Sequence, residues 1–174
     1  IKEEVYVFGS FLQSKMYQAG VTCLDCHNAH TMKVKTQSNG LCLQCHSSEK
    51  YQQQTHIHHP LDSKAGQCVS CHMPETTYMG VDARREHSFV IPRPHISQQF
   101  NTPNACQDCH QDQTNNWATK HITKWHGEPS SPSQAERQFL SLQTEYYLPF
   151  PQLITLINNP DLSVVKRASA IGFL

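Results

Sequence analysis

Four pentapeptides of one form, Cys-x-x-Cys-His, use every cysteine of this chain. They are Cys23-Leu-Asp-Cys26-His27, Cys42-Leu-Gln-Cys45-His46, Cys68-Val-Ser-Cys71-His72 and Cys106-Gln-Asp-Cys109-His110. Two thiols and an imidazole at this spacing suit one chemistry above others. The thiols add across the two vinyl groups of a porphyrin, and the adjacent histidine binds its iron from one face. The pattern predicts four covalently attached haems of c type. Cys23, Cys26, Cys42, Cys45, Cys68, Cys71, Cys106 and Cys109 are the attachment points, and His27, His46, His72 and His110 the proximal iron ligands. No residue is assigned a catalytic role. Zinc would use the thiol pairs but leave four adjacent histidines unexplained. A disulfide framework would not repeat one pentapeptide.

Each iron keeps a second axial position, and eight of the twelve histidines are not in a motif: His30, His56, His58, His59, His87, His95, His121 and His126. Histidine is the expected partner, because methionine raises the potential and only four methionines are present. Met73 directly follows a proximal histidine and cannot swing to the far face of the same haem. His30 lies three residues after His27, on a similar side of a helical turn. As a ligand it would therefore serve a haem other than its own. The cluster Thr55-His-Ile-His-His-Pro60 is expected to supply one or two ligands, and His87 is another candidate. His95, His121 and His126 read as surface or supporting residues. Arg84 and Arg85 suit either haem propionates, as bidentate contacts, or a solvated basic turn.

The elements that position these groups are short. Hydrophobic residues make up 37% of the chain, below the roughly 45–50% of an ordinary domain, so the porphyrins are expected to supply the missing apolar surface. Motif starts lie 19, 26 and 38 residues apart, which leaves room for short helices joined by loops. No strand pattern stands out. A leading helix is expected between Gly9-Ser10 and Gly20, around Phe11, Leu12, Met16 and Tyr17, with Tyr6 and Tyr17 packing rather than catalytic. Ile91-Pro-Arg-Pro94 must be extended.

The composition changes after residue 127, where Gly127-Glu-Pro-Ser-Ser-Pro-Ser133 reads as a linker. Ser131, Pro132 and Gln134 suggest a helix start. The following helix would place Ala135, Phe139, Leu142 and Tyr146 on one face. A second apolar stretch covers 150–158, and Ser163 can cap a third helix with Val164, Ala168 and Ile171 along its stripe. The fold expected is mainly α with long loops. Residues 1–127 would form a cytochrome c domain wrapped around four haems. Residues 128–174 would form a small helical tail resembling one HEAT- or TPR-like repeat. Repeats need neighbours, so the natural chain is expected to continue past Leu174.

The formal net charge is zero. Two propionates per haem would bring the holoprotein to about −4 oxidised and about −8 reduced. There is no basic stripe with interleaved aromatics, so nucleic-acid binding has no support. No apolar run reaches membrane-spanning length. Covalent c-type haem is attached outside the cytoplasm, so a periplasmic or extracellular location is expected, with an export signal already removed before Ile1.

His27-Asn-Ala-His30 followed by Leu41-Cys-Leu-Gln-Cys-His46 resembles the doubled CXXCH motif of multihaem cytochromes c. Gly9-Ser-Phe-Leu-Gln-Ser-Lys-Met16, Cys71-His-Met-Pro74, Arg84-Arg-Glu-His-Ser-Phe89 and Thr102-Pro-Asn-Ala-Cys106 extend the resemblance, which is to tetrahaem cytochromes related to those of ammonia oxidisers. The resemblance covers about 5–127 specifically and the tail loosely. It implies His30, His56, His59 and His87 as distal ligands, four for four irons. It leaves open which meets which haem; in some relatives one haem is five-coordinate. The function implied is electron transfer between redox protein partners in respiration. Two alternatives stand beside it. One is an enzyme acting on a small nitrogen or sulfur species at an open haem. The other is a subunit of a haem-stacked filament, homo-oligomer or larger complex docking through the tail.

Overall fold

The computed structural model describes residues 7–144 and 147–174. Tyr6 and Tyr146, given packing roles above, lie outside these. The chain is mainly helical with long loops, and its contacts divide it into two units that meet between Pro92 and Arg93.

The first unit begins with α1 (Val7–Phe11) and α2 (Lys15–Gln18). They replace the single helix expected over this stretch. Buried Ser14 interrupts it and caps α2 by accepting from the Tyr17 N–H at 3.0 Å. The first and third motifs start short helices, α3 (Cys23–Cys26) and α7 (Cys68–His72), whereas the second begins near the end of α4 (Gly40–Leu43); α5 (Ser48–Tyr51) and α6 (Gln54–Ile57) lie between α4 and α7. A hairpin that was not expected follows, β1 (Glu75–Tyr78) and β2 (Asp82–Arg85), antiparallel with Tyr78 opposite Asp82. Met79 and Gly80 both take positive φ in its turn (49° and 76°), a conformation that glycine adopts without steric cost.

Phe11 is the only fully buried apolar side chain among the described residues up to Pro92. A chain of this length cannot offset its ordering entropy with one buried ring. The unit is held by turns and caps rather than by an apolar core.

The second unit has a conventional core. Helix α8 (Pro94–Phe100) packs on α9 (Asn115–His126), burying Ile96 and Ala118. Helices α10 (Gln134–Leu142), α11 (Phe150–Ile157) and α12 (Val164–Ile171) pack on one another. Ala135, Phe139, Leu142, Leu148, Leu153, Leu156, Leu162 and Ala170 form their core. Ala135, Phe139 and Leu142 of the face expected on α10 are buried, and α11 spans the expected apolar stretch but buries only Leu153 and Leu156 of it, with Phe150 and Ile154 exposed. Two details differ. Ser133, not Ser131, caps α10, accepting from the Glu136 N–H at 3.1 Å. On α12 the buried residue is Ala170, whereas Val164 and Ile171 are exposed (75% and 52%). Ser163 caps α12 as expected, accepting from the Lys166 N–H.

Glu136 links three segments of this unit. It meets Arg93 at 2.7 Å and Lys166 at 3.9 Å. Burial by itself would raise the Glu136 carboxyl; the Arg93 hydrogen bond and charge, with Lys166 and His95, more than offset it and hold the group below its ordinary value.

Candidate functional site

Each motif is one helical turn. The N–H of the histidine donates to the first cysteine's carbonyl at 2.9 Å in the Cys23 motif, 3.0 Å in the Cys42 motif and 2.9 Å in the Cys106 motif; in the third motif His72 closes α7 itself. A turn of this kind brings positions i, i+3 and i+4 to one side, which is what joint attachment of both thiols and the imidazole to one porphyrin requires. None of the eight cysteines is in a disulfide. At the first motif Asp25 fixes the start of the turn, accepting from the Thr22 N–H at 2.7 Å and its hydroxyl at 2.9 Å. Those two bonds lower the Asp25 pKa.

The second and third motifs are joined through buried Asn39. Its amide donates to the Gly66 carbonyl at 2.9 Å, and its carbonyl accepts from the Cys68 N–H at 2.8 Å. Gly66 fits because a Cβ there would lie 2.5 Å from the carbonyl oxygens of both Pro60 and Leu61. The Cys42 and Cys68 thiols are hydrogen-bonded to each other, which pushes Cys42 up and pulls Cys68 down. Cys26 is pushed up first by burial and then by the charges of Asp25 and Cys45. Burial likewise raises Cys106. Among the described residues no three His, Cys, Asp or Glu side chains converge as a metal cage would require.

Histidines do pair. The rings of His27 and His87 lie 6.4 Å apart with their planes at 26°, and those of His56 and His72 lie 6.2 Å apart at 8°. Surface contact between parallel rings needs about 3.5–4.0 Å, so neither pair is held by ring stacking. Two imidazoles on one metal, with nitrogen–metal bonds of about 2 Å and roughly 1.1 Å from Nε2 to the ring centre, have centroids about 6.3 Å apart. Each pair joins one proximal histidine to one expected distal histidine.

The ring orientation is set from behind. His27 Nδ1 lies 2.6 Å from the Met32 carbonyl, His72 Nδ1 2.8 Å from that of Val90, and His87 Nδ1 2.8 Å from that of Arg85. A carbonyl only accepts, so Nδ1 carries the proton and Nε2 keeps the lone pair for a metal. His59 has the same arrangement, with Nδ1 2.9 Å from the Ile57 carbonyl. Thiol turns and paired imidazoles fit c-type haem.

The other expected ligands are placed as follows. His46 lies edge-on to Tyr51, at 5.5 Å between ring centres. His59 is half-buried in the loop after α6, and His30 sits on an exposed turn organised by Asn28; neither belongs to the two pairs. His110 is in the second unit with its ring 4.8 Å from that of Trp117, followed along α9 by His121 and Trp125 at 4.4 and 5.3 Å. Arg84 and Arg85 have protein partners within the hairpin region. Arg84 pairs with Asp82 at 2.7 Å over the Tyr78 ring, while Arg85 donates to the Met73 carbonyl and approaches Glu75 at 3.3 Å. Sequence reasoning missed Asn39 and Tyr51. An Asn just before Gly40 suggests a cap but gives no hint of its partner 27 residues away.

Comparison with known families agrees with this geometry. The doubled CXXCH motif family matches residues 15–51, spanning the first two motifs, and the family of cytochrome c554 and c-prime matches residues 105–147, spanning the fourth. The third motif and His56, His59 and His87 fall outside both matches. No curated protein and no solved structure matches the chain. The thiol turns and these two matches support a multihaem c-type cytochrome.

Proposed function

We propose that this chain carries electrons between redox protein partners, using four covalently attached haems c held mostly by two histidines each. The two imidazole pairs support this most directly. In this reading His27 and His87 close the first iron, and His72 and His56 the third. His46 and His110 are the proximal ligands of the second and fourth, and His30 and His59 serve as distal ligands by family resemblance.

Haem supplies reversible one-electron exchange at its iron when bound. The protein's part is to hold it. Two cysteine sulphurs per motif, eight in all, would fix each group to its helical turn. Backbone carbonyls fix the donor tautomer of His27, His72 and His87. The Asn39 clasp fixes the second and third attachment turns against each other. A site of this kind keeps its ligands unchanged between oxidation states, so little reorganises as charge passes. Attachment of c-type haem places the mature protein outside the cytoplasm, periplasmic or extracellular. Among the described residues no helix is long and apolar enough to cross a membrane. Helices α10–α12 are proposed as a repeat-like segment through which partners or further copies dock.

Optical spectra of the full haem-loaded chain, with and without carbon monoxide, test the reading. Denaturing mass spectrometry should show four haems. The wild type should stay low-spin and ignore carbon monoxide, whereas H56A and H87A should each open one haem in four. Carbon monoxide binding unchanged by both variants would refute the two ligand pairs. A wild-type haem that binds carbon monoxide stoichiometrically would favour the enzyme alternative.

A further inference from the structure

Tyr51 closes α5 and stands between two histidines that belong to different sites. Its ring centre is 5.5 Å from that of His46, at 88°, and 5.3 Å from that of His56, at 84°. His46 belongs to the second motif, and His56 is paired with the proximal histidine of the third. The same two sites adjoin independently, through the Asn39 clasp. Lys50 covers the Tyr51 ring, with Nζ 5.1 Å from its centre.

We propose that Tyr51 is a positioning residue shared by the second and third haem sites, which sets the ring planes of His46 and His56 together. The inference rests on the ligand reading above. A histidine ligand can rotate about its bond to the metal. His72 is held by the Val90 carbonyl behind its Nδ1, and the edge contact with Tyr51 restrains its partner His56. Aromatic edge-to-face contacts favour this perpendicular geometry. A turn of the Tyr51 ring therefore changes the boundary of both imidazoles at once. The two sites are mechanically linked through one side chain, whereas the His27–His87 pair is bounded instead by Phe89.

The orientation of axial imidazole planes governs the g-values of a low-spin ferric haem, so electron paramagnetic resonance reads this role directly. The variants are Y51F, which keeps the ring edge, and Y51L, which keeps apolar bulk without it, both in the full haem-loaded chain. H87A and H56A assign the first and third signals by removing them from the low-spin set. Y51L should shift the g-values of two of the four haems, the third being one and the first not. Y51F should retain the wild-type spectrum. Y51L spectra matching wild type, a shift confined to one haem, or a Y51F spectrum shifted like that of Y51L would overturn the inference. Failure of Y51L alone to load haem, with Y51F also altered, would count against it equally. A wild-type spectrum without low-spin signals would instead remove the ligand reading, and this inference with it.

Discussion

Replacing Asn39 by alanine removes two hydrogen bonds at once. One satisfies the Gly66 carbonyl and the other the Cys68 N–H, and Asn39 itself is buried. A buried polar group left without a partner costs about 1–3 kcal/mol. Gly66 is buried and Cys68 partly so, which places the first group near the upper end and the second near the lower. The sum is about 4 kcal/mol, before any cavity cost. With a urea slope of roughly 1.5–2 kcal/mol/M for a unit of this size, the unfolding midpoint falls by about 2–2.7 M. The assay is urea unfolding of the haem-loaded protein followed by Soret circular dichroism. N39D is the informative companion. It keeps the acceptor for the Cys68 N–H but sets a carboxylate against the Gly66 carbonyl, so it should be no more stable than N39A at neutral pH. An N39A midpoint within about 0.3 M of wild type, equivalent to roughly 0.5 kcal/mol, would refute the clasp as a stabilising device.

G66A should lose about 1–3 kcal/mol by overpacking, because its new Cβ meets two backbone carbonyls rather than a flexible side chain; the same urea titration checks it. The Arg93–Glu136 bridge predicts an acid limb in stability. Glu136 is held below its ordinary value of 4.5 in the folded chain. Its contribution is therefore present above that pH and lost as pH falls through the lowered folded value. R93A should be less stable than wild type at neutral pH and lose less on acidification below about 4.5; parallel pH profiles of the thermal midpoint would refute the linkage.

The attachment chemistry was legible because covalent geometry forces it into a linear spacing. Five consecutive residues must reach one porphyrin, so Cys23 to His27 can be read without a fold. The apolar face of α10 was legible for a related reason, since a local period records Ala135, Phe139 and Leu142. What joins distant segments was not. Asn39 serves Gly66, and Tyr51 serves both His46 and His56, through contacts no local pattern encodes. The hairpin was missed because Asp82-Ala-Arg-Arg85 reads as a charged turn; its strand character comes from pairing with Glu75-Thr-Thr-Tyr78. On α12 the stripe was misplaced because small Ala170, rather than Val164 or Ile171, fills the tight contact with the neighbouring helices. Composition changes after residue 127, whereas contacts divide after residue 92, so the fourth motif shares a unit with the tail helices.

That division bears on how the four sites are supported. Among the described residues of the first unit Phe11 is the one buried apolar side chain, so within the polypeptide polar restraints carry more of the positioning. The restraints are local and numerous. Thr22 and Asp25 hold the first turn, Asn39 ties the second to the third, and three backbone carbonyls aim the rings of His27, His72 and His87. The fourth motif instead lies beside α8 and α9, whose contact buries Ile96 and Ala118, and Asn104 ties its approach to the first turn of α9 through Asn115 at 2.8 Å. Loss of apolar packing should therefore loosen the fourth site while leaving the first three dependent on their hydrogen bonds. Loss of a single clasp such as Asn39 should do the reverse. Sites supported by different physics in one chain can therefore vary in ligand mobility independently of one another.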